Sequence, residues 1–149
     1  MGGSDDSGPD PALVPELSVR NAEASRAFYC GLLGFRCLYD RPDEGFACLT
    51  LGGARLMIDQ LGLGRDFDPG LIMTPPPYGR GVNLQILVPD LGAILSRLAR
   101  AGWGLTLPPE ERWYRCGAVD CGNRQIVVAD PDGYLLRLFE DLGERPVRG

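Results

Sequence analysis

Val82-Asn83-Leu84-Gln85-Ile86-Leu87-Val88-Pro89-Asp90 runs directly into Leu91-Gly92-Ala93-Ile94-Leu95-Ser96-Arg97-Leu98-Ala99-Arg100-Ala101-Gly102. The first part alternates. Leu84, Ile86 and Val88 fall on one side, Asn83, Gln85 and Leu87 on the other, which is the pattern of a half-buried strand. Asp90 is a helix N-cap. Leu91, Ile94, Leu95, Leu98 and Ala99 then form a helical apolar stripe, and Gly102 closes the helix. The same order stands about seventy residues earlier. There a strand covers Leu13 to Val19, Asn21 caps, and Ala24, Ala27, Phe28 and Leu32 share a helix face that ends at Gly34. Two strand–cap–helix–glycine units in one chain constitute an internal repeat.

Each unit continues in strands. After the first helix come Phe35 to Tyr39, Gly45 to Leu51 and Arg55 to Gln60, with Gly52-Gly53 as a tight hairpin turn. After the second come Gly104 to Leu107, an irregular charged stretch from Pro108 to Arg115, then Arg124 to Ala129 and Tyr134 to Glu140. Asp130-Pro131-Asp132-Gly133 makes the last turn, since Pro sets φ and Gly supplies φ > 0. The reading is an α+β fold: two βαβββ modules forming a curled mixed sheet with a cleft, helices on the outer face. It divides the chain into a disordered tail (1–12), a first module (13–60), a Gly/Pro-rich linker (61–81), a second module (82–142) and a C-terminal tail (143–149).

Composition narrows the chemistry. There is no histidine, and all fifteen basic residues are Arg. Without Lys there is no Schiff-base chemistry. The net charge of −5 argues against nucleic acid as a partner and leaves room for a cationic ligand. No apolar run approaches the ~20 residues that cross a bilayer, and the first residues lack a signal-peptide core. The expectation is a cytoplasmic protein that does not engage a membrane. Its five cysteines are then reduced thiols, and Cys116 and Cys121 are too loosely spaced for a zinc knuckle.

The residues Val14-Pro15-Glu16-Leu17-Ser18-Val19, Phe28-Tyr29, Leu33-Gly34-Phe35, Gly122-Asn123-Arg124-Gln125 and Asp130-Pro131-Asp132-Gly133-Tyr134 resemble the vicinal oxygen chelate superfamily of glyoxalase I, extradiol dioxygenases and bleomycin resistance proteins. The resemblance covers about residues 13 to 142. It implies four metal-ligand positions in the superfamily's enzymes. Carried across singly, these fall on Val14, near Ile58 (with Asp59 its neighbour if the register slips), on Asn83 and on Arg137. An aliphatic, a neutral amide and a guanidinium do not suit a transition metal, which takes imidazole, carboxylate or thiolate. The expectation is therefore no metal and no other cofactor.

That pattern is most similar to the bleomycin resistance proteins. The resemblance then implies a homodimer that sequesters a ligand in a cleft at its interface, with a bleomycin-type glycopeptide as one partner. Pro15 before the first strand is linked there to exchange of the N-terminal strand between subunits. The expected ligand-binding residues are Glu16, Ser18, Phe46, Asp59, Asn83, Gln85, Trp113, Tyr114 and Arg137; no catalytic residue is assigned. Aromatic faces suit a flat cationic ligand, and carboxylates suit its charge. Arg137 fits a carboxylate, phosphate or enolate better, or pairs internally with Glu16. Phe46 is equally readable as core, and Asp130 and Asp132 are turn formers. The alternative function is an enzyme of the same superfamily, a lyase, isomerase or dioxygenase acting on a small oxygenated substrate. It would use Glu16 or Asp59 as general base and Arg137 as the oxyanion's partner. A third reading, a small-molecule sensor or accessory protein, is not separable by one sequence.

Overall fold

A computed structural model describes residues 11–148. Residues 1–10 and Gly149 lie outside that range, so most of the 1–12 tail falls beyond the described residues. Two compact units divide the chain. One runs to Tyr78 and takes in the Asp130–Gly133 turn, and the other comprises Gly79–Ala129 and the chain from Tyr134 onward. The division falls after Tyr78, and the Asp130–Gly133 turn belongs with the first unit.

The first unit holds β1 (Glu16–Val19), α1 (Ala22–Arg26), β2 (Arg36–Arg41), β3 (Phe46–Leu51) and β4 (Ala54–Gln60). The sheet order is β1-β4-β3-β2, with β1 parallel to β4 and the other pairs antiparallel. Asn21 caps α1 by accepting from the Ala24 N–H at 3.0 Å. The helix widens into a π-helical turn over Ala27–Leu32, where the Leu33 N–H donates to the Phe28 carbonyl at 3.1 Å. One extra residue in the turn carries both Phe28 and Tyr29 into the core, with their rings edge-on at 5.2 Å.

The second unit holds β5 (Asn83–Leu87), α2 (Leu91–Arg100), β6 (Leu107–Cys116), β7 (Val119–Ala129) and β8 (Leu135–Pro146), ordered β5-β8-β7-β6. Again the first and last strands run parallel and the rest antiparallel. Both sheets are open rather than closed into barrels. Asp90 caps α2 through the Ala93 N–H at 3.0 Å. Leu91, Ile94 and Leu98 are buried, as are Ile126, Val128, Leu136 and Leu138 of the sheet. Each such side chain contributes roughly 1.5–3 kcal/mol of hydrophobic stabilisation.

The repeat extends to a matching tether. The start of α1 is held by the last strand of its sheet, the Ala22 N–H donating to Gln60 Oε1 at 2.8 Å. In the second unit the Leu91 N–H donates to Glu140 Oε2 at 3.1 Å. Gln60 and Glu140 therefore occupy equivalent places, which fixes the correspondence between β4 and β8.

Three expectations are corrected. The stretch from Pro108 to Arg115 is not an irregular loop but most of β6, and Gly104 to Thr106 precede it. β6 is an edge strand, and a register shift between Leu107 and Glu110 accommodates Pro108 and Pro109, which have no N–H to give a ladder. The expected tail of 143–149 is strand as far as Pro146, paired with β7. The linker contains a 3₁₀ turn, Pro69–Met73, and ends on the buried Tyr78.

The Asp130–Gly133 turn is clamped into the first unit. Tyr29 Oη donates to Asp130 Oδ2 at 2.6 Å, and Arg20 Nε donates to Asp132 Oδ1 at 2.8 Å. The Asp132 carbonyl accepts from the Tyr78 N–H at 2.9 Å. Gly133 has φ +92°, and a Cβ there would stand 2.6 Å from Pro77 Cα, so neither the conformation nor the space admits a side chain. Both aspartates thus have structural partners.

Candidate functional site

In the first sheet, strand alternation and cross-strand register together decide which side chains share a face. Glu16 pairs with Met57 and Ser18 with Asp59, while Asp59 also pairs with Phe46. Glu16, Ser18, Phe46, Met57 and Asp59 therefore share the face opposite α1. Four of the nine expected ligand residues meet there. Ile58, by contrast, is buried on the helix side and 0% exposed.

Glu16 and Asp59 sit as neighbouring carboxyls. Burial first, then the charge and hydrogen bond of Glu16, then Asp66 and Glu44, push the Asp59 carboxyl up to about 6. Its Oδ1 is enclosed and meets no hydrogen-bond donor among the described residues. The Asp59 carboxyl therefore keeps its proton to a higher pH than an ordinary aspartate. Phe46 is 5% exposed, with the Arg41 guanidinium 3.9 Å over its ring and Tyr39 at 6.0 Å. The Arg41 guanidinium covers one face of the ring.

In the second sheet Asn83 pairs with Leu135 and Gln85 with Arg137. Arg137 also pairs with Val127, and Gln125 with Glu110. The side chains opposite α2 line a hollow of about 430 Å³ that includes Asn83, Tyr114 and Arg137 of the expected residues. Gln85 lies on the same face, exposed, outside the lining.

Trp113 points the other way, because its strand neighbours Arg112 and Tyr114 face the hollow. Its indole covers Gly122, where a Cβ would come within 2.6 Å of the ring. The Arg145 guanidinium lies 4.0 Å over it. Trp113 and Tyr114, expected side by side in one site, are on opposite faces of β6.

The centre of the hollow is a hydrogen-bond network around Gln125, which is 2% exposed. Its Nε2 donates to Glu110 Oε1 at 2.9 Å and to Tyr114 Oη at 2.7 Å. Arg137 Nε donates to Gln125 Oε1 at 3.2 Å, and Arg137 Nη2 donates to Tyr114 Oη at 2.7 Å. The guanidinium also stands 5.3 Å from the Tyr114 ring. Arg137 thus makes these hydrogen bonds within its own unit.

Sequence reasoning missed Glu110, Arg112 and Gln125. Gln125 was readable, since strand alternation from Val127 puts it on the open face. Glu110 and Arg112 were not, because Pro108-Pro109 and the charges that follow carry the signal of a loop rather than a strand.

The correspondence between the units locates the four positions at which the resemblance expects metal ligands. Val14 and Asn83 each precede their N-cap by seven residues. Glu16 pairs with Met57 as Gln85 pairs with Arg137, and Gln60 and Glu140 each follow by three residues. The second position is therefore Met57, not Ile58. Val14, Met57, Asn83 and Arg137 supply no imidazole, carboxylate or thiolate, and one supplies a fixed positive charge. The set does not fit a divalent transition metal. Among the described residues no group of three or more His, Cys, Asp or Glu is placed to hold a metal ion.

Comparison with known proteins agrees with this architecture. The chain is 27% identical over 131 residues to catechol-2,3-dioxygenase of Bacillus subtilis (strain 168). That match covers 85% of this chain and 40% of the dioxygenase, so the chain spans under half the length of that relative. A crystal structure of TnmS3, an antibiotic binding protein from Streptomyces sp. CB03234, is similar at 26% identity and a TM-score of 0.54, covering 88% of this chain and 97% of that one. TioX from Micromonospora sp. ML1 shares the fold at 23% identity and a TM-score of 0.63, covering 87% and 98%. The family model of the Glyoxalase/Bleomycin resistance protein/Dioxygenase superfamily matches residues 12–138, and the chain belongs to that superfamily.

Proposed function

We propose that this protein is a binding protein of bleomycin-resistance type, which sequesters a small molecule without a resident metal and without turnover. The observation that carries the reading is the residue set at the expected ligand positions. Arg137 stands where an enzyme of this superfamily would place a carboxylate, and it is built into a network with Tyr114 and Gln125. A guanidinium fixed in that place repels a divalent cation. The similarity to an antibiotic binding protein supports the same reading. We place the ligand in a cleft at a homodimer interface, in contact with Asn83, Tyr114, Gln125 and Arg137. Gln85 shares that face of its own sheet, and Glu16, Ser18 and Asp59 share the corresponding face of the first unit's sheet. A bleomycin-type glycopeptide is one candidate, and resistance to an antibiotic would be the biological outcome.

A thermal-shift screen with and without added zinc, nickel, manganese and iron tests this. Bleomycin-type drugs and small oxoacids make up the panel. Ligand at roughly 100 times its dissociation constant adds about 2.7 kcal/mol of stability. The expected result is a ligand-dependent shift that is indifferent to metal, with the ligand recovered unchanged. Consumption of the ligand, switched on by an added metal, would overturn the reading.

The raised Asp59 carboxyl favours a second reading. A carboxyl near 6 beside another carboxylate is suited to take a proton from an acidic C–H, so Asp59 would be the general base of a metal-independent isomerase or lyase. Loss of the substrate's C–H deuterium to solvent during incubation separates this from sequestration.

A further inference from the structure

What the Gln125 network leaves open determines what the second-unit hollow can hold. Arg137 can only donate and ionised Glu110 can only accept, so the Gln125 amide has one consistent orientation: Oε1 toward Arg137, Nε2 toward Glu110 and Tyr114. Tyr114 Oη accepts from Gln125 Nε2 and from Arg137 Nη2, both at 2.7 Å. A phenolic oxygen has two lone pairs, and both are taken. The Tyr114 proton must therefore point away from the network. On Arg137, Nε and one N–H of Nη2 are engaged, while Nη1 donates to no described residue and no carboxylate stands within ion-pair distance. The end of the guanidinium fork formed by Nη1 and Nη2 is open.

The unused capacity at Arg137 and Tyr114 is thus donor: a fork edge and a hydroxyl, on a half-buried cation. Glu110 is the acidic group of the lining, one of its oxygens is spent on Gln125, and Arg112 lines the same hollow. Two arginines against one glutamate leave the lining net positive within a chain of net charge −5. Leu107, Val127 and Leu135 supply the apolar part of the wall.

We propose that this hollow is a receptor for a small planar carboxylate, an anion rather than a cation. One carboxylate seats on the Nη1–Nη2 edge of Arg137 in the parallel, two-bond geometry that guanidinium favours. Tyr114 gives its free O–H to the same group, and the ligand's flat apolar body lies on Leu107, Val127 and Leu135. This names the ligand class of the binding function proposed above and rests on it.

Isothermal titration with 2-naphthoate and 2-naphthamide tests the charge preference, because the two share shape and differ in the anion. The wild-type protein should bind the carboxylate about tenfold or more tightly than the amide. Arg137→Gln should remove that preference and leave the weaker amide binding in place. Tyr114→Phe keeps the ring and the strand, and it should weaken naphthoate binding severalfold even if Arg137→Gln does not fold. Equal affinity for the two probes would overturn the anion assignment, and naphthoate binding indifferent to both substitutions would overturn the assignment of the ligand to this hollow. If neither probe binds, the anion assignment fails; the broader sequestration reading then stands or falls on the drug panel of the thermal-shift screen.

Discussion

Asp59 is held in a state that the folded protein would relieve if it could. Its carboxyl has lost water to burial and faces Glu16, so the fold favours the protonated form, and the group titrates near 6 instead of at its ordinary value of 3.8. The sign of the linkage follows. Between about 4 and 6 the folded chain binds more protons at this site than the unfolded chain, so stability from this group is full below the unfolded value and is lost as pH rises through 6. Asp59→Asn removes the charge and keeps the shape. The variant should unfold at a higher temperature than the wild type at pH 7, and the difference should shrink to nothing as pH falls from 6 to 4. Melting curves across that range check it; a difference that stays constant with pH would show that Asp59 is not strained by charge. Both carboxyls were visible as candidates, but their shared face was not, because the sequence alone leaves the register of β4 open between Ile58 and Asp59 and the pairing of Ser18 with Asp59 fixes it. The proton affinity of Asp59 was not legible either, because it depends on how far each carboxyl is enclosed. Phe46 shows the limit in another form. Its aromatic ring was visible as a candidate, but Arg41, five residues away in sequence and paired with it across β2 and β3, covers one face of it.

Among the elements, β6 separates what periodicity reveals from what it hides. Helices, caps and turns repeated in both modules were legible because each carries a local chemical signal: Asn21 and Asp90 at the caps, Asp-Pro-Asp-Gly at the last hairpin. Pro108-Pro109 followed by Glu110-Glu111-Arg112 carries the signal of a loop. An edge strand tolerates both features, since one of its sides has no ladder to satisfy and charge there discourages pairing with another chain. Strand geometry then decides that Trp113 serves structure. The indole lies between Gly122 of β7 and the Arg145 guanidinium of β8, locking three strands on the face away from the hollow. Gly122→Ala would push a methyl to 2.6 Å from that ring. Overpacking of this kind costs about 1–3 kcal/mol. In a Trp103→Phe background, so that Trp113 alone reports, the substitution should red-shift the fluorescence and lower the urea midpoint by that amount. Ligand affinity should be preserved, because Tyr114 and Arg137 lie on the opposite side; a loss of binding as large as the loss of stability would place Trp113 in the site after all.

At the scale of the molecule, the proposed homodimer has surfaces to use. Leu63, Phe67, Ile72 and Met73, all in the segment joining the modules, are large apolar side chains more than half exposed. Four such residues within eleven positions of an acidic chain exceed the scattered apolar exposure normal for a monomer. The sheets add open edges at β1, β2, β5 and β6. β1 has only four residues and follows Pro15, which weakens it as a template for indiscriminate pairing. In the structure described here β1 pairs with β4 of its own chain. Sedimentation equilibrium should therefore return twice the chain mass. Replacing Phe67 and Met73 together by Glu should give a folded monomer with unchanged far-UV circular dichroism, since neither side chain is buried in its own unit. If the partner subunit covers the outer side of the bound molecule, as a cleft at an interface requires, the monomer should bind naphthoate about tenfold more weakly than the dimer, through faster dissociation rather than slower association. A monomeric wild type, or a monomeric variant that binds as tightly as the dimer, would confine the site to a single chain.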